Sequence, residues 1–212
     1  MVGEGVLLEC LENAAVEKVL VVGRRACGVS HPKLVEIIPA GLYDLAPVAE
    51  QLAGYDACFF CLGTSSVGMT AEDYRRVTFD LTLSFGQTLA KLNPDMAFCY
   101  LTGMGTDSSE QGRSAWARVK GATENALLRL FKRGYMFRPG FMQAMPGQKC
   151  LKISYKLLAW VYYPGRALWP GGFCTLREVA RAMICVATKG APKNVLEVAD
   201  IVGLAKGGQG AA

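Results

Sequence analysis

Met96-Ala97-Phe98-Cys99-Tyr100-Leu101-Thr102-Gly103 decides how this chain folds. Six apolar residues in a row, with no polar alternation, read as a strand covered on both faces. It ends at a hydroxyl and a glycine. A helical run carrying Trp116-Ala117-Arg118-Val119-Lys120 follows, and then a second apolar strand running into Arg138-Pro139-Gly140. Strand, helix and strand in that order place Thr102, Lys120 and a tight turn at successive carboxyl ends of a parallel sheet. That edge is where α/β folds bind ligands.

The same rhythm extends towards the amino terminus. Val6 to Ala15 reads as a helix, Lys18 to Val22 as a buried strand ending in Gly23-Arg24-Arg25, and Leu34 to Ile38 as another strand closed by Pro39. Pro47 to Ala53 is a short helix. Ala57 to Leu62 is a strand stopping at Gly63-Thr64-Ser65-Ser66. Ala71 to Leu92 reads as one amphipathic helix with Tyr74, Val77, Leu81, Phe85 and Leu89 on its buried face. The expected fold class is α/β, a doubly wound parallel sheet with a small C-terminal lobe. Residues 1–205 read as a single domain, with 141–205 as the C-terminal lobe and 206–212 as a Gly-rich, disordered tail. Beyond Gly140 the sequence predicts a helix from Lys152 to Tyr163 stopped by Pro164-Gly165, a helix from Leu176 to Thr188, and a strand from Val195 to Val198.

Composition supports this reading. The 212 residues are 51% hydrophobic, with a mean hydropathy of +0.23, as strands buried on two faces require. The net charge of +5 is mild, and its lysines and arginines are scattered along the chain, so nucleic acid is not expected as a partner. The opening residues do not read as a signal peptide and no apolar run is long enough to span a membrane, so the cytoplasm is the expected location. Several of the eight cysteines lie inside strand-like runs and read as small core residues in a reducing compartment. Cys58 and Cys61 have the spacing of a redox or zinc pair, but strand alternation sends their sulfurs to opposite faces. No metal site is expected.

These landmarks together resemble the atypical and extended short-chain dehydrogenase/reductase superfamily, the NAD-dependent epimerase/dehydratase-like proteins. The resemblance rests on Cys61-Leu62-Gly63-Thr64, on Thr102, on Val119-Lys120-Gly121 with Glu124, and on Arg138-Pro139-Gly140. It covers residues 3 to about 140. It implies an NAD(P)-binding oxidoreductase or epimerase-like protein acting on a small carbonyl or hydroxyl substrate. Gly63 and Thr64 would let the backbone approach the dinucleotide, and Thr102 would hydrogen-bond the substrate carbonyl. Lys120 would bind the nicotinamide ribose, while Pro139 and Gly140 would line the nicotinamide end. Gly3 would be the third glycine of a G-x-x-G-x-x-G stretch, with a strand and the first two glycines expected upstream. Arg24 and Arg25, at the end of the second strand of that pattern, would accommodate a 2′-phosphate, so NADP is expected over NAD.

One departure bears on the chemistry. The family's Tyr-x-x-x-Lys stands here as Trp116-x-x-x-Lys120, so an indole occupies the phenol's place on the same helix face. An indole N–H donates a hydrogen bond but releases no proton near neutral pH. Low activity is the expectation, with a non-catalytic dinucleotide sensor or scaffold, or an inactive truncated product, as the alternative. Tyr100 and Ser114 are the other hydroxyls that could approach the site. The aromatic stretch 152–169 would serve as a lid or packed helix, or as a helix lying on a membrane surface. It is too short to span, and the lid or core is preferred.

Overall fold

The computed structural model describes residues 2–148 and 159–207. Helix α1 (Val2–Glu12) leads into β1 (Val19–Val22) and β2 (Leu34–Ile37), which pair in parallel. A 3-10 turn (Ala46–Leu52) precedes β3 (Ala57–Phe60). Helices α2 (Ala71–Arg75) and α3 (Leu81–Leu92), β4 (Ala97–Leu101), α4 (Ala115–Leu130) and β5 (Arg133–Arg138) follow. The C-terminal part holds β6 (Phe141–Gln143), α5 (Tyr162–Leu168), β7 (Phe173–Thr175), α6 (Leu176–Lys189), β8 (Val195–Glu197) and α7 (Val198–Gly207).

The sheet is parallel throughout, in the order β3-β4-β5-β8, with β1-β2 and β6-β7 as separate parallel pairs. Apolar residues cover both of its faces, as the unbroken run at 96–101 requires. Ala97, Cys99, Tyr135 and Phe137 face a core built on α1, α6 and α7, while Phe98, Tyr100 and Met136 face a core built on α3 and α4. This is a doubly wound α/β fold. The β1-β2 pair continues the same layers. Val19 packs into the core that takes Phe59 and Cys61, and Leu20 and Val22 pack into the core that takes Cys58. Cys58 and Cys61 thus point to opposite cores, as strand alternation requires, and burial pushes the Cys61 thiol up to about 12.

β1 and β3 are not hydrogen-bonded to each other. Their side chains are half-buried except Phe60, whereas Ala97 to Tyr100 in β4 are wholly buried. In a parallel strand, alternate amides serve alternate neighbours. Hydrogen exchange should therefore be slow throughout β4 and at Met136–Arg138 of β5, which pair on both sides, and fast at every second amide of β1 and β3. Uniformly slow exchange across all four strands would contradict this pairing.

Several elements differ from the sequence expectation. The 71–92 helix contains a π turn at Arg76–Asp80, and its extra residue rotates the buried face by one position. Thr78 and Thr82 are buried beside Tyr74, Phe85 and Leu89, while Val77 and Leu81 are only half-buried. Pro164 does not stop a helix but lies in the first turn of α5, where a missing N–H leaves no bond unmade. β6 and β7 were hidden by their length of three residues each. Val198, expected to close a strand, opens α7, which takes in Lys206 and Gly207. Cys150, the 152–158 part of the expected aromatic helix and the tail from 208 lie outside the described residues.

Candidate functional site

The loop after β4 is laced to the end of β5. The Thr102 amide donates to the Phe137 carbonyl at 2.8 Å and the Met104 amide to the Pro139 carbonyl at 2.9 Å. Beneath this loop lies a buried polar cluster. Thr102 Oγ1 is 2.7 Å from Glu124 Oε1 and 2.9 Å from the Phe137 carbonyl. Arg138 forks onto the same carboxylate, Nε to Oε1 at 3.0 Å and Nη2 to Oε2, and also donates to Ser108 Oγ. Its remaining nitrogen reaches Glu197 at 3.3 Å. Glu124 is fully buried, so Arg138 supplies the counter-charge that makes its burial tolerable. A hydroxyl has one proton, and both acceptors nearest Thr102 are protein groups. What Thr102 retains for a ligand is its lone pairs.

Lys120 projects from α4 onto the end of β4. Its Nζ is 3.3 Å from both the Tyr100 hydroxyl and the Leu101 carbonyl, and lies 4.9 Å from the Tyr100 ring centre. The side chain is only 8% exposed. Burial pulls its pKa down to about 8, with Glu124 one turn away opposing the shift. An ammonium has three protons, and the two acceptors leave one N–H for a ligand. Tyr100 is fully buried and its hydroxyl is pushed well above the usual phenol range by that burial, so it does not donate a proton near neutral pH. Trp116, one turn before Lys120, is half-buried and rests its ring against Gly105, where a Cβ would sit 3.7 Å from it. Ser114 precedes α4 at its N-terminus and is exposed.

Two glycines of the sequence motifs are set by packing. A Cβ on Gly121 would lie 1.8 Å from the Asp107 carbonyl, so only glycine lets the loop after β4 cross α4. A Cβ on Gly140 would lie 2.1 Å from the Gly172 carbonyl, where the C-terminal lobe closes on the end of β5. Pro139 is buried beside it. Gly63 and Thr64 are exposed after β3, with open space around the Gly63 Cβ position. Gly3, exposed in the first turn of α1, would place a Cβ 3.5 Å from that of Cys61. The α1 N-terminus therefore sits at the carboxyl end of β3, and the positive end of a helix dipole favours an anion.

The structure thus joins Thr102, Pro139 and Gly140 through the loop contacts, with Lys120 beside them. Gly3, Gly63 and Thr64 lie at the same sheet edge. Arg24 and Arg25 are exposed on the separate β1-β2 pair. Sequence reasoning gave no role to Ser108 and treated Glu124 and Arg138 only as landmarks. The available signal was Glu124 four residues after Lys120, a second charge on the buried face of α4.

No family model matches this sequence. Solved structures do share its fold. The dTDP-glucose 4,6-dehydratase DesIV from Streptomyces venezuelae, with NAD bound, superimposes with a TM-score of 0.68 and 15% identity, covering 93% of this chain and 72% of that one. UDP-glucose 4-epimerase from Thermotoga maritima, with UDP-glucose, gives 0.64 and 15%, covering 98% and 79%. The Bordetella bronchiseptica enzyme WbmF in complex with NAD+ gives 0.62 and 19%, covering 97% and 73%. The chain shares the Rossmann-like fold of these structures.

These structures correct the expectation of NADP. DesIV and WbmF are held with NAD. The turn bearing Arg24 and Arg25 also receives a carboxylate, Glu36 Oε1, 2.7 Å from the Cys27 amide. Arg24 and Arg25 themselves are exposed on that turn.

Proposed function

We propose that this protein binds NAD along the carboxyl edge of its sheet and takes a small hydroxyl- or carbonyl-bearing substrate there, nucleotide sugars being the first class to test. The observation that carries the reading is Lys120: a buried ammonium at the end of β4 with two protein acceptors and one N–H to spare. That N–H suits a ribose hydroxyl, and the α1 N-terminus beside Cys61 suits a pyrophosphate. Gly63 and Thr64 leave open backbone between the two. Bound NAD supplies reversible hydride transfer at its nicotinamide ring. Lys120 orients the ribose, Trp116 walls the pocket and excludes water, and the Glu124–Arg138 pair fixes the loop that carries Thr102.

Among the described residues beside Lys120, neither Trp116, which holds the helix position one turn before it, nor the buried Tyr100 phenol serves as a proton donor at neutral pH. This favours a second reading, in which the dinucleotide is bound with little turnover. Trp116→Tyr separates the two. A phenol beside Lys120 supplies the missing acid, and a positioned acid contributes about 10²–10⁴ in rate. Turnover of UDP- and dTDP-sugars by Trp116→Tyr should exceed that of the parent by about 10² or more, with a new pH limb from the phenol. Equal, negligible turnover in both proteins, with NAD still bound, would leave binding without catalysis as the function.

A further inference from the structure

Lys120 brings a charge as well as an N–H to the end of β4. Both acceptors of its Nζ, the Tyr100 hydroxyl and the Leu101 carbonyl, are neutral groups. With 8% of the residue exposed, water screens that charge little. The acids around it are engaged elsewhere. Glu124, one turn further along α4, accepts from Arg138 at both oxygens and from Thr102 at one, so a guanidinium matches its charge. Glu197, the second partner of Arg138, lies at the end of β8 with its side chain 48% exposed. Asp107, in the loop after β4, accepts from Ser109 and the Gly112 amide of its own loop. Among the described residues at the ends of β4 and β5, Lys120 therefore holds a charge that no carboxylate pairs.

NAD+ and NADH are alike except at the nicotinamide ring, a pyridinium cation in the first and neutral in the second. The inference drawn from this rests on the reading that the Lys120 N–H holds the nicotinamide ribose. The ring nitrogen is bonded directly to that ribose, so covalent geometry keeps the ring within a few bond lengths of the ammonium. Like charges at that range repel strongly in a buried site, whereas in open water they would be screened. Trp116, half-buried one turn before Lys120, acts in the other direction, because an aromatic face attracts a cation. A full buried charge outweighs that ring quadrupole. The balance favours the neutral ring.

We propose that Lys120 makes this site discriminate between the two redox forms of the dinucleotide, taking NADH in preference to NAD+. Calorimetric titration of the full chain with each form tests this without any turnover. NADH should bind about tenfold more tightly than NAD+, or better. Two variants separate charge from hydrogen bonding. Lys120→Gln keeps an N–H for the ribose and loses the charge, while Lys120→Met loses both. Each should bring the two affinities to within about twofold of each other, chiefly by sparing NAD+ the repulsion. Thermal melts of both variants show that they are folded. Equal affinities in the parent, tighter NAD+, or an undiminished NADH preference in folded Lys120→Gln would overturn the proposal and leave the dinucleotide reading standing. Binding of neither form at millimolar concentration would overturn that reading, and the preference with it.

Discussion

Glu124→Gln should be among the most destabilising single substitutions in this protein, lowering its stability by about 3–5 kcal/mol. Glu124 has no exposed surface, and its carboxylate takes bonds from Arg138 and Thr102. Removing its charge leaves the Arg138 guanidinium, itself only 12% exposed, without its main partner. For a chain of this length each kcal/mol is worth about 2–4 °C, so Tm should fall by roughly 6–20 °C. Arg138→Met should be as severe, because it strands a buried carboxylate. Glu124→Met and Arg138→Met together should cost far less than the sum, since an apolar pair leaves neither charge uncompensated. Thermal melts of the three variants check this. A Glu124→Gln protein within about 1 kcal/mol of the parent would show that the pair is solvated.

Lys120→Met should do the opposite. The folded-state pKa of Lys120 is pulled down from 10.5 to about 8 by burial, so between those values the unfolded chain carries a proton that the folded chain does not. Stability must then rise with pH across the window. Below about pH 8 the folded protein bears a buried charge that costs about 3 kcal/mol, and above about 10.5 that cost is gone. Removing the amine should raise stability near pH 7 by about 1–3 kcal/mol, after allowing for the bonds to Tyr100 and Leu101. It should also flatten the difference between pH 8 and 10.5. Denaturant titrations of both proteins at several pH values measure this directly. A gain in stability paired with a loss of ligand binding marks a residue kept for function rather than for the fold.

The parts of the fold readable in the sequence were those whose burial leaves a long signal. The run at 96–101 named a two-faced strand, and the Thr102, Lys120 and Arg138 positions named one sheet edge. What escaped was short or decided by packing. β6 and β7 are three residues each and pair across a long interval of chain. Pro164 looks the same whether it starts or stops a helix until the turn around it is placed. The π turn at Arg76–Asp80 has no periodic signature, yet it exchanges Val77 and Leu81 for Thr78 and Thr82 on the buried face. That Lys120 reaches the end of β4 was legible from its helix position after that strand. The commitment of the Thr102 hydroxyl to Glu124 was not, because it depends on Arg138 reaching across from the next strand. Arg24 and Arg25 misled, because two basic residues after a strand carry no information on the cofactor, and the similar structures DesIV and WbmF hold NAD.

Whether Lys120 holds NAD at the end of β4 is tested most directly by titrating NADH against tryptophan fluorescence. Trp116 lies one helical turn from Lys120, so bound NADH should quench its emission and emit in return. Losing a hydrogen bond from a charged group costs about 1.5–3 kcal/mol, so Lys120→Met should weaken the affinity about 10–100-fold while the protein stays folded. Saturable energy transfer in the parent, weakened to that degree in Lys120→Met, is the predicted result. Unchanged NADH affinity in a folded Lys120→Met protein, or no transfer in the parent at millimolar NADH, would contradict it.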